Sequence, residues 1–423
     1  MGTDAGSDDR RSRDDLAPQH GQFLPSQRRS RLPPGCSMIS FVWSPGERLP
    51  SGTGGSENFT TGQVRELNRR AVAARVVTVG LGTADGREEF DGIPFHSVAS
   101  LHDLGLLDDT LVFVSEAPPV ATMHPAFQIL HVPPPLRERD RVSVAYGTRN
   151  RTLIATSRYA AALWADFLDV ALETIRVVYP FAEPGFADEP RTGGHPDVTR
   201  VLYAGRLTPE KGIYTLLSML HTDLFEPGAV TVTVTSAGAD KPQGAIIEHL
   251  VRSHPGVTLV PARRTPADMA HLLAAHDVVV MPSNAQYWHE TFGILSIEAQ
   301  HAGCRVVASR DGGLPETDCG ALLLVRPDDA EALAQGILAA RRLGPVGRGT
   351  RVRAAADFTV ADSVDGLLDA LRAPHVPTPW EVARELEELV SLPSVEGPHD
   401  RGDLTAVPAR SFRAPAPASA RRR

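Results

Sequence analysis

The feature that most constrains the fold is a repeated alternation of short apolar runs with amphipathic helical segments. Predicted strands rich in apolar residues lie at 75–79, 110–115, 128–132 and 152–156 in the first half of the chain, and at 229–235 and 257–260 in the second. Strands buried on both faces of a parallel sheet are near-continuous apolar runs, and strand–helix repeats build such sheets. The pattern therefore predicts an α/β fold with doubly wound parallel sheets.

The length of the chain indicates more than one domain. A chain of 423 residues exceeds what one hydrophobic core covers, and a Gly-, Pro- and Asp-rich linker at 184–196 separates the two series of runs. Both ends are too polar or too rich in Pro to bury a core. The predicted organisation is a disordered tail over 1–36, a first domain over 37–182, a second over 183–373, a helix over 374–395 and a disordered tail over 396–423.

Composition limits the partners and the compartment. The 43 basic and 51 acidic side chains give a net charge of −8, which predicts no nucleic-acid-binding surface over the whole protein. The three cysteines form no CxxC pair, which favours a reducing compartment. Pro45 interrupts the apolar stretch 38–43 well before the length of a membrane span. We therefore expect a cytoplasmic protein without a transmembrane segment.

The segment 277–316 carries most of the functional information. Its opening apolar run ends at Pro282, which predicts a buried strand, and helical spacing begins at Phe292, with Thr291 as the N-cap and Gly303 beyond the helix end. A helix that starts past the carboxyl end of a parallel strand directs unpaired N–H groups into the ligand crevice. Such helix ends bind anions.

Two glutamates flank this predicted anion site. Glu290 precedes the helix, and Glu298 lies within it, roughly 9 Å along the axis from Phe292 at about 1.5 Å per residue. That span matches the distance from a diphosphate to a ribose, so the spacing suits a sugar nucleotide whose hydroxyls the carboxylates would bind. The alternative is a solvated helix with two ordinary surface glutamates.

Two further loops suit phosphate groups. A glycine-rich loop at 44–56 lies between the strand at 37–43 and an amphipathic helix, an arrangement that cradles phosphate, although it is also found in simple turns. In the second half, the segment 200–212 contains Arg206 and Lys211, and lysine occurs elsewhere only at position 241. An ammonium suits one phosphate oxygen and a guanidinium can bridge two, whereas the alternative is a solvated turn.

Three motifs together resemble a known family. The sequences E-T-F-G-I-L-S-I-E at 290–298, H-A-G-C-R-V-V-A-S at 301–309 and G-G-L-P-E at 312–316 resemble the signature of retaining glycosyltransferases of the GT-B fold, family four, also called glycosyl transferases group 1. The resemblance extends over most of 37–395 and is looser in the first half. It implies two Rossmann-like domains facing a cleft, with the acceptor on the first, the nucleotide sugar on the second, and the helix at 374–395 crossing back to the first.

The resemblance also implies the site residues. His131, which ends F-Q-I-L-H, matches the family strand whose terminal histidine lies near the reacting sugar, with His124 as the rival; Glu116 lies at another strand end. The predicted catalytic residues are His131, Arg206, Lys211 and Glu290. The predicted donor-binding residues are Gly54, Gly55, Arg206, Lys211, Arg263, Glu290, Thr291, Phe292, Gly293, Ile294, Leu295 and Glu298. Thr291 and Arg305 stand where the family often has proline.

The implied reaction is retaining transfer of a sugar from a nucleoside diphosphate sugar to a hydroxyl of a small molecule, a glycan or a lipid-linked sugar. We expect no cofactor and no metal, because the only acidic pair that suggests a divalent site, Asp108–Asp109, is predicted to be solvated near a helix end. One rival is an epimerase or hydrolase of the same shape, which needs a carboxylate pair in the first domain. Another is a non-catalytic binding protein. A nicotinamide dehydrogenase is disfavoured because no G-x-G-x-x-G follows the first strand.

Overall fold

The computed structural model describes residues 38–51, 54–114, 116–192, 197–226, 228–286 and 289–373. Within these ranges the chain forms two parallel sheets with helices packed on them, as the alternation of apolar runs predicted. The predicted tails at 1–36 and 396–423 and the predicted helix at 374–395 lie outside the described residues.

The first sheet has seven strands. They are β1 (Ile39–Val42), β2 (Ala74–Val79), β3 (Phe95–Val98), β4 (Thr110–Phe113), β5 (Ala126–Leu130), β6 (Arg151–Ala155) and β7 (Arg176–Val177). The accompanying helices are α1 (Gly55–Arg69), α2 (Leu101–Gly105), α3 (Glu138–Gly147) and α4 (Arg158–Leu168). The spatial order is β3-β2-β1-β4-β5-β6-β7, so the order reverses between β1 and β4, where sheets of this kind open a ligand crevice.

The second sheet has six strands. They are β8 (Thr199–Tyr203), β9 (Val230–Thr235), β10 (Val257–Val260), β11 (Val278–Met281), β12 (Arg305–Ser309) and β13 (Leu322–Val325), in the order β10-β9-β8-β11-β12-β13. The accompanying helices are α5 (Gly185–Asp188), α6 (Ile213–Met219), α7 (Pro242–Ser253), α8 (Pro266–Ala274), α9 (Ile294–His301), α10 (Ala330–Leu343) and α11 (Arg348–Ala354). The order reverses between β8 and β11.

Burial on both faces explains why the central strands are apolar. In β1, Ile39 and Phe41 pack in the core that includes residues of α1, while Val42 packs on the opposite face with Leu111 and Phe113 of β4. Truncating such a side chain to alanine typically costs about 3–5 kcal/mol for Phe. The sheet is thus held firmly enough to fix the loops at its carboxyl edge.

The last described helix, α12 (Val360–Arg372), belongs to the first core. Its apolar stripe packs with that core, and Gln63 of α1 donates a hydrogen bond to the Ser363 hydroxyl at 3.0 Å. The second-domain boundary at 373 stays a prediction, while this packing places α12 with the first core. The boundary was placed at the prolines that follow residue 373, which mark a break in the chain and carry no information on where the preceding helix packs.

The helix after β11 begins differently from the prediction. It starts at Ile294 rather than Phe292, and its N-cap is Gly293 in the left-handed region, with φ of 96°, rather than Thr291. A Cβ at position 293 would lie 2.7 Å from Cδ2 of Leu314. Glycine at 293 therefore sets the start of α9, and the Thr291 hydroxyl is used elsewhere.

Two smaller differences concern the first sheet. Strand β3 was not predicted, because its sequence F-H-S-V mixes polar and apolar residues, as suits a half-buried edge strand. Asp109 was predicted to be solvated but is buried: it accepts a hydrogen bond from Ser40 at 2.6 Å and pairs with Arg75 at 2.6 Å.

In the described ranges no helix combines the length and apolarity needed to span a membrane.

Candidate active site

A cleft of about 550 Å³ lies between the carboxyl edges of the two sheets. The first sheet contributes the loop before α1 and the residues that follow β5 and β6. The second contributes the loops after β8 and β11 and the start of α9. Every predicted catalytic and donor-binding residue lines this cleft, namely Gly54, Gly55, His131, Arg206, Lys211, Arg263, Glu290, Thr291, Phe292, Gly293, Ile294, Leu295 and Glu298. Their individual roles stay predictions.

The Lys211–Glu290 pair forms the centre of the second-sheet side. Nζ of Lys211 contacts Oε1 of Glu290, and the Ser283 hydroxyl donates to the same oxygen at 3.0 Å. Burial on its own raises the pKa of Glu290, but Lys211, Ser283 and the nearby Arg206 outweigh it and lower the pKa below its usual value. Glu290 is therefore an ionised acceptor at neutral pH, fixed in orientation by two donors.

The loop that carries Arg206 and Lys211 is itself held in place. The hydroxyl of Tyr203, a buried residue at the end of β8, lies 3.0 Å from the carbonyl oxygen of Arg206 and 3.2 Å from that of Lys211. A 3₁₀ turn over Pro209–Lys211 then leads into α6. These contacts fix both cations beside the start of α9.

Glu298 contrasts with Glu290. It lies in α9 and is largely buried, and no hydrogen-bond donor among the described residues contacts its carboxyl group. Burial, assisted by the nearby Glu183, raises the pKa of Glu298 to about 8. A carboxyl group in this state has open hydrogen-bonding positions toward the cleft, which suits hydroxyl groups of a ligand.

His131 forms the first-sheet side, directly after β5. Its ring meets the ring of Phe59 edge-on with centroids 5.0 Å apart, and burial lowers the pKa of His131 to about 3, so the imidazole is neutral. Its Nε2 is buried without a hydrogen-bond partner in the described part of the chain, as are Oγ1 of Thr156 and Nε of Arg263. Such atoms are costly to leave unpaired, so three of them around one cleft indicate positions for ligand atoms.

Hydrogen bonds also join the two sides of the cleft. The Thr291 hydroxyl donates to the carbonyl oxygen of His131 at 2.6 Å. The Glu316 carboxylate accepts from the backbone N–H groups of Arg158 and Tyr159 at 2.9 and 2.7 Å, and so caps α4 of the other sheet. The two halves are thus held in contact by groups of the E-T-F-G and G-G-L-P-E motifs.

Close packing accompanies these hydrogen bonds at the glycine-rich loop. Gly55 opens α1, and a Cβ at this position would lie 2.9 Å from Cδ1 of Ile294, the first residue of α9. Glycine at this position lets the two helix N-termini approach closely without displacing the Ile294 side chain. Both helix ends therefore face one volume.

Sequence reasoning missed several polar residues of the cleft, of which three are important for its chemistry. Ser283 holds Glu290, Thr156 follows β6, and Glu57 lies in the first turn of α1. Burial raises the pKa of Glu57, partly offset by a hydrogen bond from its own backbone N–H and by Arg206. Its position two residues after the Gly54–Gly55 pair was the available signal.

The described residues of the cleft also bear on the rival assignments. Glu57 is the single carboxylate that the described first-sheet residues place on the cleft, whereas the epimerase or hydrolase alternative needs a pair. His124, the rival to His131, pairs with Asp108 and does not line the cleft. Glu116 lines a neighbouring pocket instead. Within the described ranges, no three His, Cys, Asp or Glu side chains cluster as metal ligands would.

The fold is that of GT-B glycosyltransferases. A glycosyltransferase structure from Rickettsia africae superposes with a TM-score of 0.62 at 16% identity, covering 80% of this chain and 98% of that one. HepE from Anabaena, solved in complex with UDP and glucose, superposes with a TM-score of 0.55 at 19% identity, covering 84% and 99%. The predicted two-sheet architecture is confirmed.

Sequence comparison agrees with the motifs of the second half. Residues 198–341 match the family model described as Glycosyl transferases group 1, the family that these motifs resemble. A D-inositol 3-phosphate glycosyltransferase from Segniliparus rotundus is 32% identical over 239 residues, 52% of each chain. An alpha-maltose-1-phosphate synthase from Mycobacterium tuberculosis is 29% identical over 200 residues, 43% of this chain and 49% of that one. The chain thus spans about half the length of the curated relatives it matches.

Proposed function

We propose that this protein is a glycosyltransferase that moves a sugar from a nucleoside diphosphate sugar to an acceptor hydroxyl. The observation that carries the proposal is the Lys211–Glu290 pair beside Arg206 at the start of α9, inside the segment that matches the glycosyl transferases group 1 family. It joins two cations for a diphosphate to an oriented carboxylate for sugar hydroxyls. The structurally similar HepE, solved with UDP and glucose, supports a nucleotide sugar as donor.

In the proposed mechanism, the anomeric C–O bond breaks and negative charge grows on the leaving diphosphate. Arg206, Lys211 and the N–H groups at the start of α9 stabilise that charge, and one contact of this kind is worth about 10²–10³ in rate. Glu290 accepts hydrogen bonds from the sugar, and Glu298 accepts from the ribose. The two cations supply positive charge at the leaving group, so a metal and a further cofactor are left out of the proposal.

The first side of the cleft holds the acceptor in this proposal. The imidazole of His131 is neutral and has an unpaired Nε2, so it can exchange hydrogen bonds with the sugar or with the attacking hydroxyl.

Retention of anomeric configuration is proposed from the family resemblance. A cytoplasmic location is proposed from the cysteines, because Cys304 and Cys319 are buried free thiols.

The test is a thermal-shift series with UDP, GDP, ADP, dTDP and nicotinamide dinucleotides, followed by assay of the matching nucleotide sugars. A ligand at a hundred times its Kd adds about 2.7 kcal/mol, which moves the midpoint by several degrees. We expect stabilisation by one nucleoside diphosphate and release of that nucleotide from its sugar derivative. Stabilisation by a dinucleotide alone, or by no nucleotide, contradicts the proposal.

A further inference from the structure

A second pocket of about 650 Å³ adjoins the cleft on the first sheet. Its walls come from the segments after β1, β4 and β5, from one face of α3, and from Trp164 of α4. His131 and Val132 line both this pocket and the cleft. The pocket therefore opens at the point where the donor sugar would lie, and a molecule seated in it can present a hydroxyl there.

The lining of this pocket is mostly apolar. Its described apolar residues are Pro45, Leu101, Ala117, Pro118, Pro119, Ile129, Leu130, Val132, Pro133, Pro135, Val144 and Trp164. Five prolines make the walls stiff, because their ring fixes the backbone φ angle. The pocket is therefore preorganised for a rigid or apolar ligand rather than for a chain of hydroxyl groups.

The charged residues of the lining are acidic. Glu116 and Asp140 are the charged side chains among the described lining residues, and this lining includes no lysine or arginine. Arg151 lies behind the wall, where it donates to Oε1 of Gln128 at 2.8 Å and to the carbonyl oxygen of Pro118. The Arg151 guanidinium therefore stabilises the pocket wall through these hydrogen bonds. A phosphate or carboxylate group would thus meet carboxylates instead of cations.

Apolar surface continues outside the pocket. Val132 at its edge is 48% exposed, and Leu136, Val142 and Tyr146, on and just before α3, are 84%, 63% and 57% exposed. Large apolar side chains grouped on one element in this way mark an interaction surface more often than isolated ones do. An apolar ligand longer than the pocket would find further contacts along this helix.

We propose that this pocket is the acceptor site and that the acceptor is an apolar alcohol without a phosphate or carboxylate group. The inference rests on the proposed function. Two sources supply this chemistry, a soluble ring-bearing alcohol and a lipid alcohol in a membrane. Attack of its hydroxyl oxygen on the anomeric carbon forms the new glycosidic bond, the nucleoside diphosphate leaves with the electron pair of the old bond, and the hydroxyl proton passes to the diphosphate.

The test uses the full chain and the donor found by thermal shift. The acceptor probes are 2-naphthol in solution, diacylglycerol in phosphatidylcholine vesicles, and the phosphorylated pair glucose 1-phosphate and inositol 1-phosphate. Glycosylated products are measured by mass spectrometry, and binding of 2-naphthol by calorimetry. We expect 2-naphthol to bind and one of the two alcohols to be glycosylated; the arm that gives product identifies the source.

A blocking variant tests the location. Ser143 is exposed on α3 and lines the pocket, so Ser143→Trp fills it without entering the core. We expect transfer to fall by about tenfold or more while the shift caused by the nucleoside diphosphate is unchanged. Ser253→Trp, the same change at an exposed end of α7, is the matched control and should leave both readouts unchanged.

The outcomes separate the two proposals. Transfer to the phosphorylated probes alone, no binding of 2-naphthol, or wild-type transfer by Ser143→Trp would each overturn the acceptor assignment while leaving the donor site intact. If no nucleoside diphosphate stabilises the protein, the proposed function itself fails before the acceptor is tested.

Discussion

The two sides of the cleft are built on different principles. On the second-sheet side, charged groups hold one another: Lys211 and Ser283 both bind Glu290, and the loop of Arg206 and Lys211 is tied to Tyr203. On the first-sheet side, Nε2 of His131 and Oγ1 of Thr156 have no hydrogen-bond partner among the described residues, and an apolar pocket opens beside them. The contrast teaches that the Lys211–Glu290 centre is organised by contacts within the protein, whereas the first-sheet side leaves polar atoms open to a ligand.

The largest effect is expected from variants that disrupt the Lys211–Glu290 pair on the second-sheet side of the cleft. Lys211→Ala removes a cation from the leaving group and the partner of Glu290, so we expect transfer to slow by about 10²–10³. Glu290→Gln should slow transfer at least about tenfold, because the amide cannot accept at both positions as the carboxylate does. Steady-state rates with the identified nucleotide sugar measure both effects, and circular dichroism checks folding. Near-normal turnover in both variants would sink the donor-site assignment.

The next test breaks the connection between the sides. Thr291→Val keeps the shape of the side chain but removes the hydrogen bond to the His131 carbonyl oxygen, which leaves that oxygen under-satisfied at a cost of about 1–3 kcal/mol. We expect kcat/KM to fall about tenfold with donor binding retained. Thr174→Val, which removes a local hydrogen bond to Ala171 far from the cleft, is the control. Equal rates for the two variants would mean that Thr291 does not position His131.

A smaller effect is expected at the second connection. Glu316→Gln removes the negative charge from the N-terminus of α4 but keeps one acceptor for its N–H groups. A charge at a helix N-terminus is worth about 0.3–1 kcal/mol, so KM for the donor should rise by about twofold to fivefold through weaker closure. Glu331→Gln, at the exposed start of α10, provides the matched control. A fall in kcat with KM unchanged would contradict a role in closure.

The smallest effect sharpens the contrast between the two glutamates. Burial raises the pKa of Glu298 to about 8, above its value in the unfolded chain, so the folded state binds the extra proton between about pH 4.5 and 8. Stability from this group is therefore lost as the pH rises through that window. Glu298→Gln should raise the Tm by a few degrees at pH 8 and by less at pH 5, even though it weakens donor binding. If the Tm difference between Glu298→Gln and the wild type does not change with pH, the buried carboxyl group of Glu298 has no raised pKa and the expectation is contradicted.

The residues on the second-sheet side of the cleft could be located from the sequence because they are close together in the chain. Glu290, the start of α9 and Glu298 lie within nine residues of each other, and Arg206 and Lys211 share one loop after β8. Strand and helix periodicity then suffice to place them at the carboxyl edge of a parallel sheet. The fold was predicted for the same reason, because the apolar runs are local.

The remaining features depend on contacts that sequence spacing does not encode. The Thr291 hydroxyl meets a carbonyl oxygen 160 positions earlier, and its use there, with Gly293 as the N-cap, is invisible to a local capping rule. Asp109 follows an acidic neighbour, yet it is buried, because it pairs with Arg75 of another strand. Pocket lining is likewise set by how segments distant in sequence meet.

The packing of α12 also determines when the first half of the protein can finish folding. Residues 360–372 supply Val364, Leu367 and Leu371 to the core that surrounds Phe41 and Phe59. During synthesis, the chain up to residue 182 leaves the ribosome with that core open, and the whole second sheet must follow before α12 can close it. Domains made in sequence usually fold in that order. Here the part made first is completed last, and any exchange of halves between related proteins must carry α12 with the first half.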